Sequence, residues 1–572
     1  MRDSGLRAAA LIALLALSAC APTPSPTSGG AAPVAPTAAT QASAPKTLVF
    51  GVRYELNDIA PKITSGTSSD GMKRLFTASL AYMDGKGIVQ PYLAETLPTL
   101  NTDSWRVFPD GRMETTYKLR PNLTWHDGQP LTADDFVFAL QAYTTPGSVF
   151  DPVPQDRIEE VLAPDPSTVV IHWKALYPDA GSLRSGMFEP LPRHILEQPL
   201  TQQTIVDFNT LSYWTSDFVG AGPFRLERWI PGAEMDSAAF EGHALGRPKI
   251  DRIIVKFVPD ENTMMTNLLA DTVQVAADNS LRFEQAVVLK QEWSANSKGM
   301  VLLDPIQPRI TEFQLRPEYA NPSSLLDVRV RRAIAYAFDK QAMMDGLFGG
   351  QVAPSDQAMP RSVPYFDQLD QAVTKYPYDL RRADELLNEV GIHKGPDGAY
   401  LTPSGERFGF ESWVLAGSQN EQQGSIMGDS WRRAGFDVKE YAIPTAQSQD
   451  GQVRATFPAL SSVATFIGET NVLNSFAAAQ VPGPSNAWRG NNRGGWVNAD
   501  YERLWDAFNS TLDRSERDRQ VVEMMKVATD QLPVLFNFHS PNVVAYLSSV
   551  QGPTLGSPDS LVFWNVHEWD LR

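Results

Sequence analysis

The chain has 572 residues, which at about 100 to 200 residues per domain is enough for several folding units with sizeable cores. Hydrophobic residues at 42%, aromatics at 10% and charged residues at 20% give a globular composition, excluding a disordered chain or one threaded repeatedly through a bilayer. With 66 acids against 49 bases the net charge of −17 repels nucleic acid, and a single cysteine among seven scattered histidines excludes an internal disulfide and a multi-cysteine metal site.

Arg2 and Arg7 precede an apolar run from Ala8 to Leu17 that ends in Leu17-Ser18-Ala19-Cys20, the charged start, short core and small-residue end of a secretory signal. The run is too short to span a bilayer. Leu-Ser-Ala-Cys resembles the bacterial lipobox, which implies removal of residues 1–19 and lipidation of Cys20. Ala21 to Pro45 holds only Ala, Pro, Thr, Ser, Gly, Val and one Gln, so 20–45 reads as an extended tether between a lipid anchor and a folded body outside the cytoplasm.

From Lys46 the texture changes. Lys46–Val52 reads as a first strand, followed by a loop through Asn57 and Pro61. Met113–Leu119 is a further strand; Thr132 and Asp135 then form a capping box for a helix with Phe136, Ala139, Leu140 and Tyr143 at helical spacing. Val169–Trp173 and Ile253–Val258 read as strands, and Asn262–Ala270 as a helix turning Met265, Leu268 and Leu269 inward. Asp327–Leu347 is predicted as one helix stopped by Gly349-Gly350. Asp379 caps another, with Ala383, Leu386, Leu387 and Val390 on one face and Gly391 as terminator; Asp500–Leu512 and Glu516–Thr529 are helices near the end.

Pro91-Tyr-Leu-Ala-Glu95, Tyr117-Lys-Leu-Arg-Pro121, Trp125-His-Asp-Gly128 and Leu131–Leu140 resemble, in order and spacing, extracellular solute-binding family 5, the peptide and nickel class serving ABC importers. Gly222–Trp229, Asp327–Lys340 and Tyr378–Leu387 continue the resemblance. It implies an α/β, cluster-C periplasmic-binding-protein-like fold (type II): two lobes around a cleft, with an extra third domain. By analogy domain I takes 46–60, 216–300 and 536–572, domain II 61–215 and domain III 301–535, with hinges near Ala221-Gly222 and Phe536. A ligand bridging the lobes stabilises the closed state.

The resemblance also implies where the ligand sits, in and around Leu460–Asn474. Aligning Thr470-Asn471-Val472-Leu473 with the relatives' Asp-Asn-Phe-Leu puts Thr465 where oligopeptide binders carry the aspartate that pairs with a peptide's α-ammonium. A threonine supplies no charge, so capture of a free amine would fall to Glu469 or another acid. Trp413, Phe466, Trp488 and Trp496 fall in segments that line the cleft in relatives, with Asn491, Asn492 and Arg493 as hydrogen-bonding neighbours; Asn471 in the aligned stretch and Asn57 on the first loop are further candidates. Each tryptophan also has a core reading, since large aromatics are mostly packing residues. Trp125-His126-Asp127-Gly128 reads as a turn and not as a catalytic pair, and Asp134-Asp135 and Glu159-Glu160 as solvated charges.

The expected protein is a monomeric lipoprotein receptor without cofactor or metal, anchored to the membrane through Cys20. It captures a peptide-like solute and passes it to an ABC permease and ATPase complex. A neutral oligosaccharide is the rival cargo, and a surface hydrolase on the same scaffold the rival class.

Overall fold

The computed structural model describes residues 44–62, 68–277, 280–465, 467–555 and 562–572. The signal segment, Cys20, nearly all of the tether and Phe466 lie outside the described residues.

The longer strands are β1 (Thr47–Val52), β2 (Trp105–Val107), β3 (Met113–Lys118), β4 (Ile158–Asp165), β5 (Thr168–Trp173), β6 (Phe224–Ile230) and β7 (Glu234–Ala239). They continue with β8 (Arg252–Phe257), β9 (Val275–Ala276), β10 (Gly299–Phe313), β11 (Gly409–Leu415), β12 (Asp437–Ile443), β13 (Leu460–Ala464) and β14 (Val534–Leu547). The helices used below are α1 (Ala133–Thr144), α2 (Glu261–Leu269), α3 (Phe283–Ser294), α4 (Val328–Tyr336), α5 (Lys340–Phe348), α6 (Leu380–Glu389), α7 (Ser418–Ala434), α8 (Glu469–Asn474), α9 (Ala499–Phe508) and α10 (Arg514–Gln531).

Among the described residues ten strands form one mixed sheet in the order β12-β11-β13-β10-β14-β9-β1-β8-β7-β6, and four more form a separate sheet, β2-β3-β5-β4. At one end β1 lies parallel between β8 and β9; at the other β11 lies parallel between β12 and β13. The antiparallel pair β10–β14 joins the two ends, in register from Gly299 opposite Leu547 to Glu312 opposite Val534.

The side chains divide into two lobes around this pair. Leu302, Val544 and Tyr546 pack in a core shared by β1, the four-stranded sheet and α1, while Val301, Val543, Ala545 and Leu547 pack with α2 and α3. Beyond the middle of the strands, Ile310, Phe313, Val534, Leu535, Phe536 and Phe538 belong to the cores of the other lobe, built on α4 to α10. Between these stretches Pro305 faces Pro541, and the register slips between Pro305 and Gln307 and again between Arg309 and Ile310. Proline donates no ladder hydrogen bond, so facing prolines leave the sheet weakest between the lobes.

The crossing therefore lies beyond the expected Phe536. The other expected hinge, Ala221-Gly222, is buried inside the first lobe's shared core. A Cβ on Gly222 would meet the Phe76 carbonyl carbon at 2.4 Å, so the chain passes there only as glycine. His126 clamps the same segment: the Gly220 N–H donates to Nδ1 (3.2 Å) and Nε2–H donates to the Gly222 carbonyl (3.0 Å). Trp125–Gly128 is indeed a turn, with Gly128 at φ 85°, and Asp127 accepts from His194 Nε2 at 2.8 Å.

Local chemistry places the helices. Asp135 accepts the Thr132 N–H at 2.8 Å, completing the expected box, and Asp379 and Asp513 accept the N–H groups of Arg382 and Glu516. The predicted helix Asp327–Leu347 is two helices. The first ends at Tyr336 with Ala337 as its C-cap, and Asp339 caps the second, accepting the Ala342 N–H at 2.9 Å, while its own N–H donates to Ser430 Oγ. In α2, Met264 and Leu268 are the buried residues and Met265 is only partly covered.

Burial holds two histidines neutral, pushing both His126 and His243 down to about 4; His243 Nδ1–H donates to the Gly246 carbonyl and Tyr92 Oη–H donates to its Nε2. An unfolded histidine takes up its proton near about 6.5. Stability contributed by these neutral rings is thus complete above that pH and is lost as pH falls towards 4, by about 2–3 kcal/mol each. Urea titrations from pH 7 to 4 will show this fall, and it will be shallower in His126→Gln and His243→Gln; an unchanged slope would contradict the assignment.

Candidate functional site

In an open α/β sheet, ligands bind outside the carboxyl ends of parallel strands. In the first lobe those ends deliver Arg53 to Asn57 after β1, Asp260 and Glu261 after β8, and Arg282 after β9. In the second they deliver Gly417 to Asn420 after β11 and Thr465 after β13. The crossing strands supply Asp304 to Arg309 and Ser540 to Asn542 between them.

Glu261, at the start of α2, is held by two cations, Arg53 Nη1 at 2.5 Å and Arg282 Nε at 3.2 Å. Arg309 projects from β10, beside Ala464 of β13 and Phe538 of β14. Its Nη2 donates to Asn420 Oδ1 (2.6 Å) and Gln423 Oε1 (3.0 Å), both on α7, and its buried Nε has no acceptor among the described residues. Burial pushes the guanidinium down to about 10, and the charge of Arg282 adds to the effect. Asp304 is the opposite case. Burial alone pushes its carboxyl up to about 6, and among the described residues it has no ion-pair or hydrogen-bond partner. Opposite it in the ladder, the Asn542 side-chain oxygen is also buried without a donor.

The residues expected at the site fall into three groups. Thr465 lies at this strand end, its N–H donating to the Pro308 carbonyl (3.0 Å) and its carbonyl accepting from Gln307 Nε2 (3.3 Å); Asn57 is exposed on the loop after β1. Trp413 on β11 is half-buried against Tyr441 of β12, with ring centroids 4.6 Å apart, and its indole N–H donates to Glu411 at 2.9 Å. Exposed Asn471 donates from Nδ2 to the Ile467 carbonyl, and half-buried Trp488 sits at φ 60°, its N–H donating to the Gly483 carbonyl.

The third group is engaged by the protein itself. The Glu469 carboxylate takes both Arg514 guanidinium nitrogens, at 3.1 and 2.7 Å, and the Tyr365 hydroxyl. Three donors take three of its roughly four acceptor sites, and Arg514 already balances the charge that would draw a guest's ammonium. Asn492 ties a loop, its Nδ2 donating to the carbonyls of Phe476, Ala477 and Trp496 and its Oδ1 accepting the Trp496 N–H. Trp496 is a core residue packed edge-on against Tyr501, and Asn491 accepts from Arg493. The cavity beside Asn491, Asn492 and Trp496 has a volume of about 10 Å³, room for one water and not for a guest. Sequence reasoning missed Asp304 and Arg309. The signal was a charged residue on either side of Pro305 and Pro308 in an otherwise apolar run.

The lobes also meet away from the crossing. Arg517 of α10 pairs with Asp179 at 3.3 Å, and Arg157 Nη1 donates to the Asn509 carbonyl at 3.4 Å.

A family model described as bacterial extracellular solute-binding proteins, family 5 (middle region), matches residues 95–478. The chain belongs to this family. The oligopeptide-binding protein AppA of Bacillus subtilis is 23% identical over 525 residues, covering 89% of this chain and 88% of its own. The dipeptide-binding protein of Escherichia coli is 23% identical over 528 residues, 86% and 89% of the two chains. Among solved structures, NikZ from Campylobacter jejuni in complex with Ni(L-His) superposes with a TM-score of 0.71 at 23% identity, covering 92% of this chain and 99% of its own. The shared architecture is the two-lobed family 5 fold with its additional domain.

Asp304 supplies a test with a definite sign. Its carboxyl, raised to about 6 against an unfolded value near about 4, carries no cost below pH 4 and disfavours the folded state increasingly up to pH 6. Asp304→Asn will therefore be more stable than the parent by about 1–2 kcal/mol at pH 8 and equal to it at pH 4 in urea unfolding. Equal stability at both pH values would show that Asp304 has a cationic partner.

Proposed function

We propose that this family 5 protein is the solute-binding lipoprotein of an ABC importer, taking up a peptide in the cleft between its lobes and passing it to a membrane permease. What carries the reading is the family match over residues 95–478 together with a cleft bounded by the carboxyl ends of both sets of parallel strands. Relatives named as oligopeptide- and dipeptide-binding proteins support the cargo class. Uncompensated charges of both signs, at Asp304 and Arg309, suit a zwitterionic guest better than a neutral oligosaccharide.

The chain's part is binding, not turnover: closure is stabilised by the free energy the guest contributes in the closed state and not in the open one. Domain I comprises 46–60 and 216–300 and domain II 61–215, and the boundary with domain III, read at 301 and 536, shifts to the crossing near Pro305 and Pro541, because Phe536 and Phe538 pack in the second lobe. Thr465, Trp413 and Asn57 border the guest. Cys20 carries the lipid that keeps the receptor on the outer side of the membrane, where more than one acyl chain gives stable anchoring.

Protein purified without denaturation will release peptides detectable by native mass spectrometry, and the emptied protein will rebind peptides one to one in calorimetry. Release of no ligand, with no heat from any peptide, would contradict the cargo. Cys20→Ala will move the protein from the membrane fraction to the soluble extracytoplasmic fraction; persistence in the membrane would contradict the anchor.

A further inference from the structure

Most charged side chains around the cleft are already neutralised by the protein. Glu261 is shared by Arg53 and Arg282, and Glu469 is chelated by Arg514. Arg309 differs. Among the described residues its only hydrogen-bond acceptors are the side-chain oxygens of Asn420 and Gln423, which are uncharged, and its Nε–H has none. Among the described residues the ionised group that acts on it is the positive Arg282. A partly buried guanidinium with no anion beside it among the described residues is costly, and it persists where the rest of a fold holds it in place. Here it is held by a strand paired on both sides, with Ala464 on one flank and Phe538 on the other. Two amide oxygens on α7 take both Nη2 hydrogens and fix its orientation, leaving the Nη1 hydrogens without an acceptor among the described residues.

We infer that Arg309 is the cleft's carboxylate-recognising residue, and that the solute carries a carboxylate which completes its unfilled donors. This rests on the solute-binding reading above and narrows the guest to acids: for a peptide, the terminal carboxylate or an acidic side chain. The amides of Asn420 and Gln423 hold the fork and leave its charge intact, so the guest's anion forms the charge-assisted pair that the protein withholds.

The test compares emptied full chain and its Arg309→Gln and Arg309→Lys variants by calorimetry. The ligands are short peptides free of Asp and Glu, each with a free or an amidated C-terminus, and amidated peptides containing one Glu. The parent will bind at least one carboxylate-bearing form about tenfold or more tighter than its amidated, acid-free counterpart. Preference for the free terminus points to the terminal carboxylate, and preference for the Glu form to a side chain. Arg309→Gln will lose that preference while its ligand-free melting midpoint stays at or above the parent's, because it removes an uncompensated charge; Arg309→Lys will keep part of the preference.

Equal binding of acid and amide forms, or a preference that survives in Arg309→Gln, would overturn the inference. So would a lower melting midpoint in both variants with the preference intact, which would mark Arg309 as a structural tie to α7. If no peptide of any form binds, the peptide reading fails instead. The same comparison with uronic-acid and neutral oligosaccharides then decides the role of Arg309 by the same preference.

Discussion

The chain passes from one lobe to the other along β10 and returns along β14, and everything the protein can do mechanically depends on how these two strands pair. On either side of the crossing the pair is anchored in apolar cores, with Val301, Leu302 and Val543 to Leu547 in one lobe and Ile310, Phe313 and Val534 to Phe538 in the other. Those cores are close-packed and resist deformation. Pro305 opposite Pro541 and two register slips lie between them. A bend between the lobes would fall in this stretch, where facing prolines and the slips weaken the ladder. The Arg517–Asp179 pair and the Arg157 contact to Asn509 link the lobes a second time, through groups that separate at a smaller cost than a core.

Placing the binding residues next to such a crossing couples them to it. Strand ends from both lobes converge there, so a guest that touches Arg53 to Asn57 on one side and Asn420 or Thr465 on the other favours the closed arrangement through those contacts alone. Electrostatics then decides which guest. Carboxylates with tight cationic partners, Glu261 and Glu469, hold the fold; Arg309 and Asp304 have no counter-charge among the described residues. That division explains why the acid nearest in sequence to Thr465 is not the one available: Glu469 starts α8 with its carboxylate against Arg514 of α10.

Much of the fold was legible in the sequence where local chemistry and packing agree. The capping box completed by Asp135, the cap at Asp379 and the turn at Gly128 depend on neighbours within a few residues, and each is found as read. The family resemblance gave the two-lobed architecture. What stayed hidden depends on distant partners. Pro305 and Pro308 disguise β10 as a loop, because a proline argues against a central strand unless a bulge accommodates it. Asp339 looked like part of a helix, since only Ser430 and the turn it caps reveal a break. Trp496 and Asn492 read as ligand contacts because aromatic and amide residues in a glycine-rich loop look alike whether they face a guest or lock the loop shut. The charge state of Arg309 and Asp304 follows from burial, which no spacing rule reports.

The central claim is that two packed bodies close on a guest by bending at the β10–β14 crossing. Spin labels placed at Glu159 in the four-stranded sheet and at Arg519 on α10, with Cys20 replaced by Ser, report the separation of the lobes directly. Emptied protein should give a broad, longer distance distribution that collapses to one shorter distance when the co-purified ligand is returned. A single unchanged distance with and without ligand would contradict the account.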